Sequence, residues 1–114
     1  MKRNKQDNVV LNKNFQFQHI YRKGQSYVHP LVVTYILPKP RGQIRYGITA
    51  SKKIGCAVER NRARRVIKAA ISELLPLVEG AYDLVFVARK ATISTKSTKL
   101  HNIISLQLKK AGVI

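Results

Sequence analysis

Acidic residues are scarce in this chain of 114: Asp7, Glu59, Glu73, Glu79 and Asp83 are the only five. A protein that hydrolyses a phosphodiester needs a general acid and base, or metal ions held by clustered carboxylates. Glu79 and Asp83 are close in sequence, but they flank a turn and a strand start and have no third ligand nearby. His19, His29 and His101 are scattered, each reading as a surface or partly buried side chain. The pattern supplies no catalytic residues and no metal ligands. Cysteine is nearly absent too. Cys56 alone cannot form an internal disulfide, which agrees with a reducing compartment, and no Cys or His spacing resembles a zinc site. No segment approaches the ~18–20 apolar residues of a transmembrane helix, and there is no lipidation motif. The N-terminus, MKRNKQDNVV, lacks the apolar core of a signal peptide. These absences read as a cytoplasmic protein without a membrane partner.

What the chain has in excess is positive charge. Twenty-two Lys and Arg give a formal net charge of +17 and a pI near 10.6, the electrostatic footprint of a nucleic-acid-binding domain. The surplus is densest from Ser51 to Lys68, SKKIGCAVERNRARRVIK, where Arg60, Arg62, Arg64, Arg65 and Lys68 place five cations in nine residues. In a helix, Arg60 and Arg64, and Arg64 and Lys68, stand at the spacing where like charges repel by a few tenths of a kcal/mol. Cations near the helix start also oppose the macrodipole, at roughly 0.3–1 kcal/mol each. A polyanion that supplies the missing negative charge resolves the conflict, and nucleic acid is the polyanion that fits.

The length suits one domain, residues 1–114, with Met1 to Asn8 as a flexible basic tail. Leu11 to Arg22 predicts a short helix ended by Gly24 at C′. Its Phe17, Ile20 and Tyr21 share a face, which serves either as core or as a surface for stacking bases. Ser26 to Leu37 predicts a strand, regular from Leu31 because Pro30 cannot join a central ladder. Lys39 to Gly42 is a turn, and Gln43 to Ala50 alternates as a second strand. The short connection predicts an antiparallel hairpin between the two. After a loop at Ser51 to Gly55, a helix runs from Ala57 or Val58 to Leu75, with Pro76 ending it. Ala63, Val66, Ile67, Ala70, Ile71, Leu74 and Leu75 form its buried stripe, opposite Asn61, Arg62, Arg64, Arg65 and Lys68. Arg60 projects onto the apolar arc, which places it in the first turn, where that arc has run past the core. Ala81 to Ala88, AYDLVFVA, is apolar on both alternations, as in a strand covered on both sides. A polar linker, Thr92 to Thr98, precedes a helix carrying Leu100, Ile103, Ile104, Leu106 and Leu108, capped at Gly112. The order α-β-β-α-β-α predicts an α+β fold, a two-layer α/β sandwich.

With this order beside the motif, the chain resembles the protein subunit of bacterial ribonuclease P, the ribonucleoprotein that removes the 5′ leader from precursor tRNA. The resemblance rests on four blocks in sequence: FQHIYRKG (Phe17 to Gly24), GITASKKIGCAVERNRARR (Gly47 to Arg65), YDLVFVARK (Tyr82 to Lys90) and LKKAGVI (Leu108 to Ile114). Arg60-Asn61-Arg62 matches the family's RNR signature. The resemblance implies a left-handed crossover through the RNR helix, unlike ordinary βαβ units. It implies that Arg60, Asn61, Arg62, Arg64, Arg65 and Lys68 meet the catalytic RNA. It also implies that a cleft between the first helix and the sheet, with Phe17, Tyr21, Tyr35, Lys52, Lys53, Arg89 and Lys90, takes the single-stranded leader. It implies further that the RNA carries out hydrolysis with Mg²⁺, and the protein is expected to hold no cofactor of its own, to be monomeric without RNA and to bind it one to one. Three positions depart from the family pattern: Lys68-Ala69 stands where Arg-Glu is common, and Cys56 where Asn is frequent. A small basic ribosomal or ribosome-assembly protein, a stand-alone ribonuclease and a helix-turn-helix DNA binder are the alternatives. Co-purifying RNA, RNA-free cleavage and a missing partner helix respectively discriminate them.

Overall fold

The computed structural model describes residues 9–114; the expected basic tail, Met1 to Asn8, lies outside them. In chain order the elements are β1 (Val9–Val10), α1 (Asn14–Lys23), β2 (Gln25–His29), β3 (Val32–Pro38), β4 (Arg45–Thr49), α2 (Ala57–Ile71), β5 (Tyr82–Ala88) and α3 (Ser97–Lys110). Short 3-10 turns occupy Lys52–Ile54, Leu75–Leu77 and Lys90–Ser94. All strands join one sheet in the order β1-β4-β5-β3-β2. The α+β class agrees with the sequence pattern, and α2 is the crossover between the parallel strands β4 and β5.

β5 is central because its residues are apolar on both alternations. Leu84, Phe86 and Ala88 join the main core with Ile67 and Ile71 of α2 and Leu100, Ile104 and Leu108 of α3. Val85 faces the other way, into a smaller core with Leu11 and Ile20, flanked by Phe17, Tyr21, Tyr35, Leu37 and Val87. The sheet with α2 and α3 makes the two expected layers; α1 alone covers part of the opposite face.

The expected hairpin between Ser26–Leu37 and Gln43–Ala50 is not formed. β5 lies between β3 and β4, antiparallel to the first and parallel to the second. A strand with two apolar faces gains most where it has neighbours on both edges, and this outweighs the proximity of the short 39–44 connection. The hairpin lies instead within the first run, where β2 and β3 pair from His29↔Val32 to Gln25↔Ile36. Pro30, with no N–H to give a ladder, turns the chain there, and the Leu31 N–H donates to His29 Nδ1 at 3.0 Å.

Helix ends show the same local chemistry. α2 stops at Ile71, short of Leu75, because Pro76 lacks an N–H and would clash with the carbonyl one turn back. Leu74 and Leu75 still reach the core from the turn that follows. Gly24 ends α1 with φ −79, so its role is close approach: a Cβ there would lie 2.7 Å from the Ile20 carbonyl oxygen. Gly112 does adopt positive φ (76), and bonds from Gly112 N–H to Lys109 O and Val113 N–H to Leu108 O close α3 as a Schellman motif. On α3, Leu106 is exposed and Gln107 is buried in its place. Gln107 Oε1 accepts from Thr34 Oγ1 at 2.7 Å and its Nε2 donates to the Tyr27 carbonyl at 2.8 Å, pinning α3 to the β2–β3 hairpin. Part of the expected linker is also core: Thr92 is fully buried, its hydroxyl donating to the Leu31 carbonyl.

One acid sits inside this frame. Asp83, 1% exposed, takes a bidentate pair from Arg45 (2.8 and 2.7 Å) and a third bond from Lys39 Nζ at 3.1 Å. Lys39 also reaches the Gln43 carbonyl, so the turn, β4 and β5 are tied at one point. Burial pushes the Asp83 carboxyl up, but the Arg45 and Lys39 bonds and charges outweigh it and hold its pKa below the usual carboxylate range. A depressed folded-state pKa adds stability that is present above the unfolded value of about 4 and lost as pH falls through the folded one. Asp83→Asn is therefore expected to destabilise the protein by about 3 kcal/mol at pH 7. Urea unfolding from pH 7 down to pH 2 should show the gap to wild type closing with acid; a gap independent of pH would sink this account.

Candidate nucleic-acid interface

The apolar stripe of α2 is buried at Ala63, Ile67, Ala70 and Ile71, and this sets which of its cations face solvent. Arg62, Arg65 and Lys68 are exposed and form no hydrogen bond or ion pair among the described residues. Arg64 differs: its guanidinium bonds Asn61 Oδ1 at 3.0 Å and approaches the Ala50 carbonyl at 3.4 Å, so Arg64 and Asn61 brace the helix against the end of β4. Arg60 is half-buried and not clear of the core as expected, because the packed surface extends to this first stretch of α2; its Nε is enclosed with no partner among the described residues. The six expected residues therefore divide into three free cations and three that are partly occupied by the fold.

The N-terminus of α2 carries the one acid near this cluster. Glu59 accepts the Cys56 N–H at 3.0 Å, a capping bond that lowers the Glu59 pKa, with a smaller contribution from the charge of Lys90. Gly55 lies close beside it: a Cβ there would lie 2.5 Å from Glu59 Oε1 and displace the capping carboxylate. Cys56 is exposed and serves as the N-cap position, a small residue at a loop–helix junction.

Across the sheet, under α1, Phe17, Tyr21 and Tyr35 form a continuous aromatic row. Phe17 and Tyr21 have centroids 6.5 Å apart, and Tyr21 meets Tyr35 edge-on at 4.9 Å. All three are partly exposed and also flank the smaller core. The row is seated by two residues that the sequence pattern does not single out. Gly47 leaves the space that the Phe17 ring fills: an added Cβ would lie 2.5 Å from Phe17 Cε1. Thr49 Oγ1 lies 3.5 Å from the Tyr21 hydroxyl. Both belong to the alternation opposite Tyr46 and Ile48, which was the available signal. Because β4 and β5 run parallel, with Thr49 beside Val87, both strands end on the same side of the sheet. That end carries Lys52, Lys53, Arg89 and Lys90, all exposed.

Chemically, exposed cations are suited to anions and a partly exposed aromatic row to flat apolar rings. Among the described residues no group of three His, Cys, Asp or Glu side chains is placed to hold a metal ion. No described helix is long and apolar enough to cross a membrane.

The sequence model of the Ribonuclease P family matches residues 6–112. The ribonuclease P protein component of Clostridium botulinum (strain Loch Maree) is 38% identical over 114 residues, covering 99% of this chain and 98% of its own. The solved RNase P protein of Staphylococcus aureus superposes with a TM-score of 0.77 at 31% identity, covering 91% of this chain and 95% of its own. A mutant of the Staphylococcus protein with defective mRNA degradation activity superposes equally, at TM-score 0.77 and 31% identity over 92% of this chain and 89% of its own.

The fit of Phe17 on Gly47 is testable by itself. Gly47→Ala should cost about 1–3 kcal/mol through overpacking. In the Phe17→Ala background the same change should cost much less, since the ring it collides with is gone. Strictly additive costs in a denaturation cycle would mean that the two residues do not touch.

Proposed function

The chain belongs to the ribonuclease P protein family, the protein subunit of the ribonucleoprotein endoribonuclease that processes tRNA, and on that premise we propose a role for each of its two surfaces. The outer face of α2, through Arg60, Asn61, Arg62, Arg64, Arg65 and Lys68, meets the catalytic RNA. The face under α1, through Phe17, Tyr21, Tyr35, Lys52, Lys53, Arg89 and Lys90, holds the 5′ leader of precursor tRNA. The observation that carries this reading is that the exposed Arg62, Arg65 and Lys68 of α2 lie on the face of the sheet opposite the aromatic row under α1, with Lys52, Lys53, Arg89 and Lys90 at the ends of β4 and β5.

Each surface suits a different form of RNA. Arg62, Arg65 and Lys68 on a convex helix neutralise the phosphates of folded RNA, where charge dominates affinity. Aromatics beside cations suit a single strand, because any base can stack on them, at ~1–3 kcal/mol per base. Hydrolysis belongs to the RNA with its own Mg²⁺, for which the protein's scattered carboxylates offer no substitute. One copy of the chain acts as a single domain per RNA, in the cytoplasm. Incubating RNA-free protein with messenger RNA shows whether the mRNA degradation activity of the Staphylococcus protein extends to this chain.

Two variants separate the surfaces. Arg62→Ala with Arg65→Ala should weaken binding to the catalytic RNA and flatten its salt dependence by about 0.7–0.9 log units for each phosphate no longer neutralised; an unchanged slope means these residues touch no phosphate. Phe17→Ala with Tyr21→Ala should leave that binding intact but reduce preference for leader-bearing precursor over mature tRNA by about tenfold. A folded variant that keeps full preference would refute the assignment of the leader to the α1 face.

A further inference from the structure

A groove of about 420 Å³ opens between α2 and the segment leading into α3. Its α2 wall carries Arg62 and Arg65, its other wall carries Lys96, and its floor is Val66, Ala69 and Ile93. No acidic residue among the described residues lines it. Like Arg62 and Arg65, Lys96 has an exposed side chain without an internal partner among the described residues.

We propose that this groove is a slot for one unpaired nucleotide of the partner RNA, a proposal that rests on the reading of α2 as the catalytic-RNA surface. A regular RNA backbone needs only cations on a convex helix. A concavity with an aliphatic floor adds favourable energy only when something apolar enters it. In folded RNA the apolar surface able to leave the stack is the face of an extrahelical base, and such unstacked bases are where proteins read RNA. The volume lies in the range of pockets that enclose small ligands, about 300–1,000 Å³. Base against Val66, Ala69 and Ile93 leaves the flanking phosphates beside Arg62, Arg65 and Lys96, so charge and shape agree along the groove. At the rim, Thr95 Oγ1 donates to the Ala91 carbonyl at 2.7 Å. Its lone pairs remain free to accept from a ribose 2′-hydroxyl or an exocyclic amine.

Ala69 is exposed on α2, where leucine is a good helix former, so Ala69→Leu fills the floor without touching charge or core. With a full-length bacterial ribonuclease P RNA as the probe, Ala69→Leu should weaken binding about tenfold, the scale of one base excluded from its seat, at an unchanged salt slope. Lys96→Ala should instead lower that slope by about 0.7–0.9 log units. Base-specific chemical probing of the complex should show one unpaired nucleotide protected by wild type and exposed again with Ala69→Leu. Wild-type affinity and protection in a folded Ala69→Leu protein would overturn the slot and leave α2 as a charge surface. Failure of wild type to bind the RNA at moderate ionic strength would overturn both readings.

Discussion

The structure depends on the double-sided burial of β5. Leu84, Phe86 and Ala88 hold α2 and α3 on one face, and Val85 holds α1 on the other. Burying an apolar side chain fully contributes about 1.5–3 kcal/mol, so a strand that does this on both faces governs where its neighbours lie. Once β5 is central, β4 must reach it through a crossover, and α2 is that crossover. The basic helix is thereby fixed on the face opposite the aromatic row.

Charge follows from the same arrangement. The buried acid, Asp83, uses two cations, Arg45 and Lys39, to fasten the turn and strand starts at one end of the sheet. Glu59 caps α2 through the Cys56 amide. These two acids thus serve the fold locally and leave Arg62, Arg65 and Lys68 along α2 without hydrogen-bond or ion-pair partners among the described residues. A face whose charges repel one another on a helix depends on a counter-charge from outside. This is why the free Arg62, Arg65 and Lys68 carry more of the functional argument than Arg64, which the fold already occupies.

Much of this was legible in the chain. The period of α2 separates Ala63, Ile67, Ala70 and Ile71 from the cations correctly, because a helix repeats over a few residues and the pattern is local. The apolar run Ala81–Ala88 was readable as a strand covered on both sides for the same reason. Strand pairing was not readable. A strand's partners are chosen by total burial, and the nearness of Ser26–Leu37 to Gln43–Ala50 in sequence misled because β5, more than thirty residues on, competes for both edges. Gln107 gives no sign in the sequence because its amide is at home in the core only when Thr34 and the Tyr27 carbonyl are in reach. Gly47 likewise reads as a gap in an alternation until the Phe17 ring lies against it.

By itself the sequence determined the class of partner, the helices and the central strand, since net charge, apolar period and proline positions act through neighbours a few residues away. Only the tertiary structure decided that Phe17, Tyr21 and Tyr35 make one row, that Arg64 is braced while Arg62 and Arg65 are free, and that Lys96 faces them across a groove. Those relations join residues far apart in the chain, and they exist only after burial of β5 has chosen which surfaces meet.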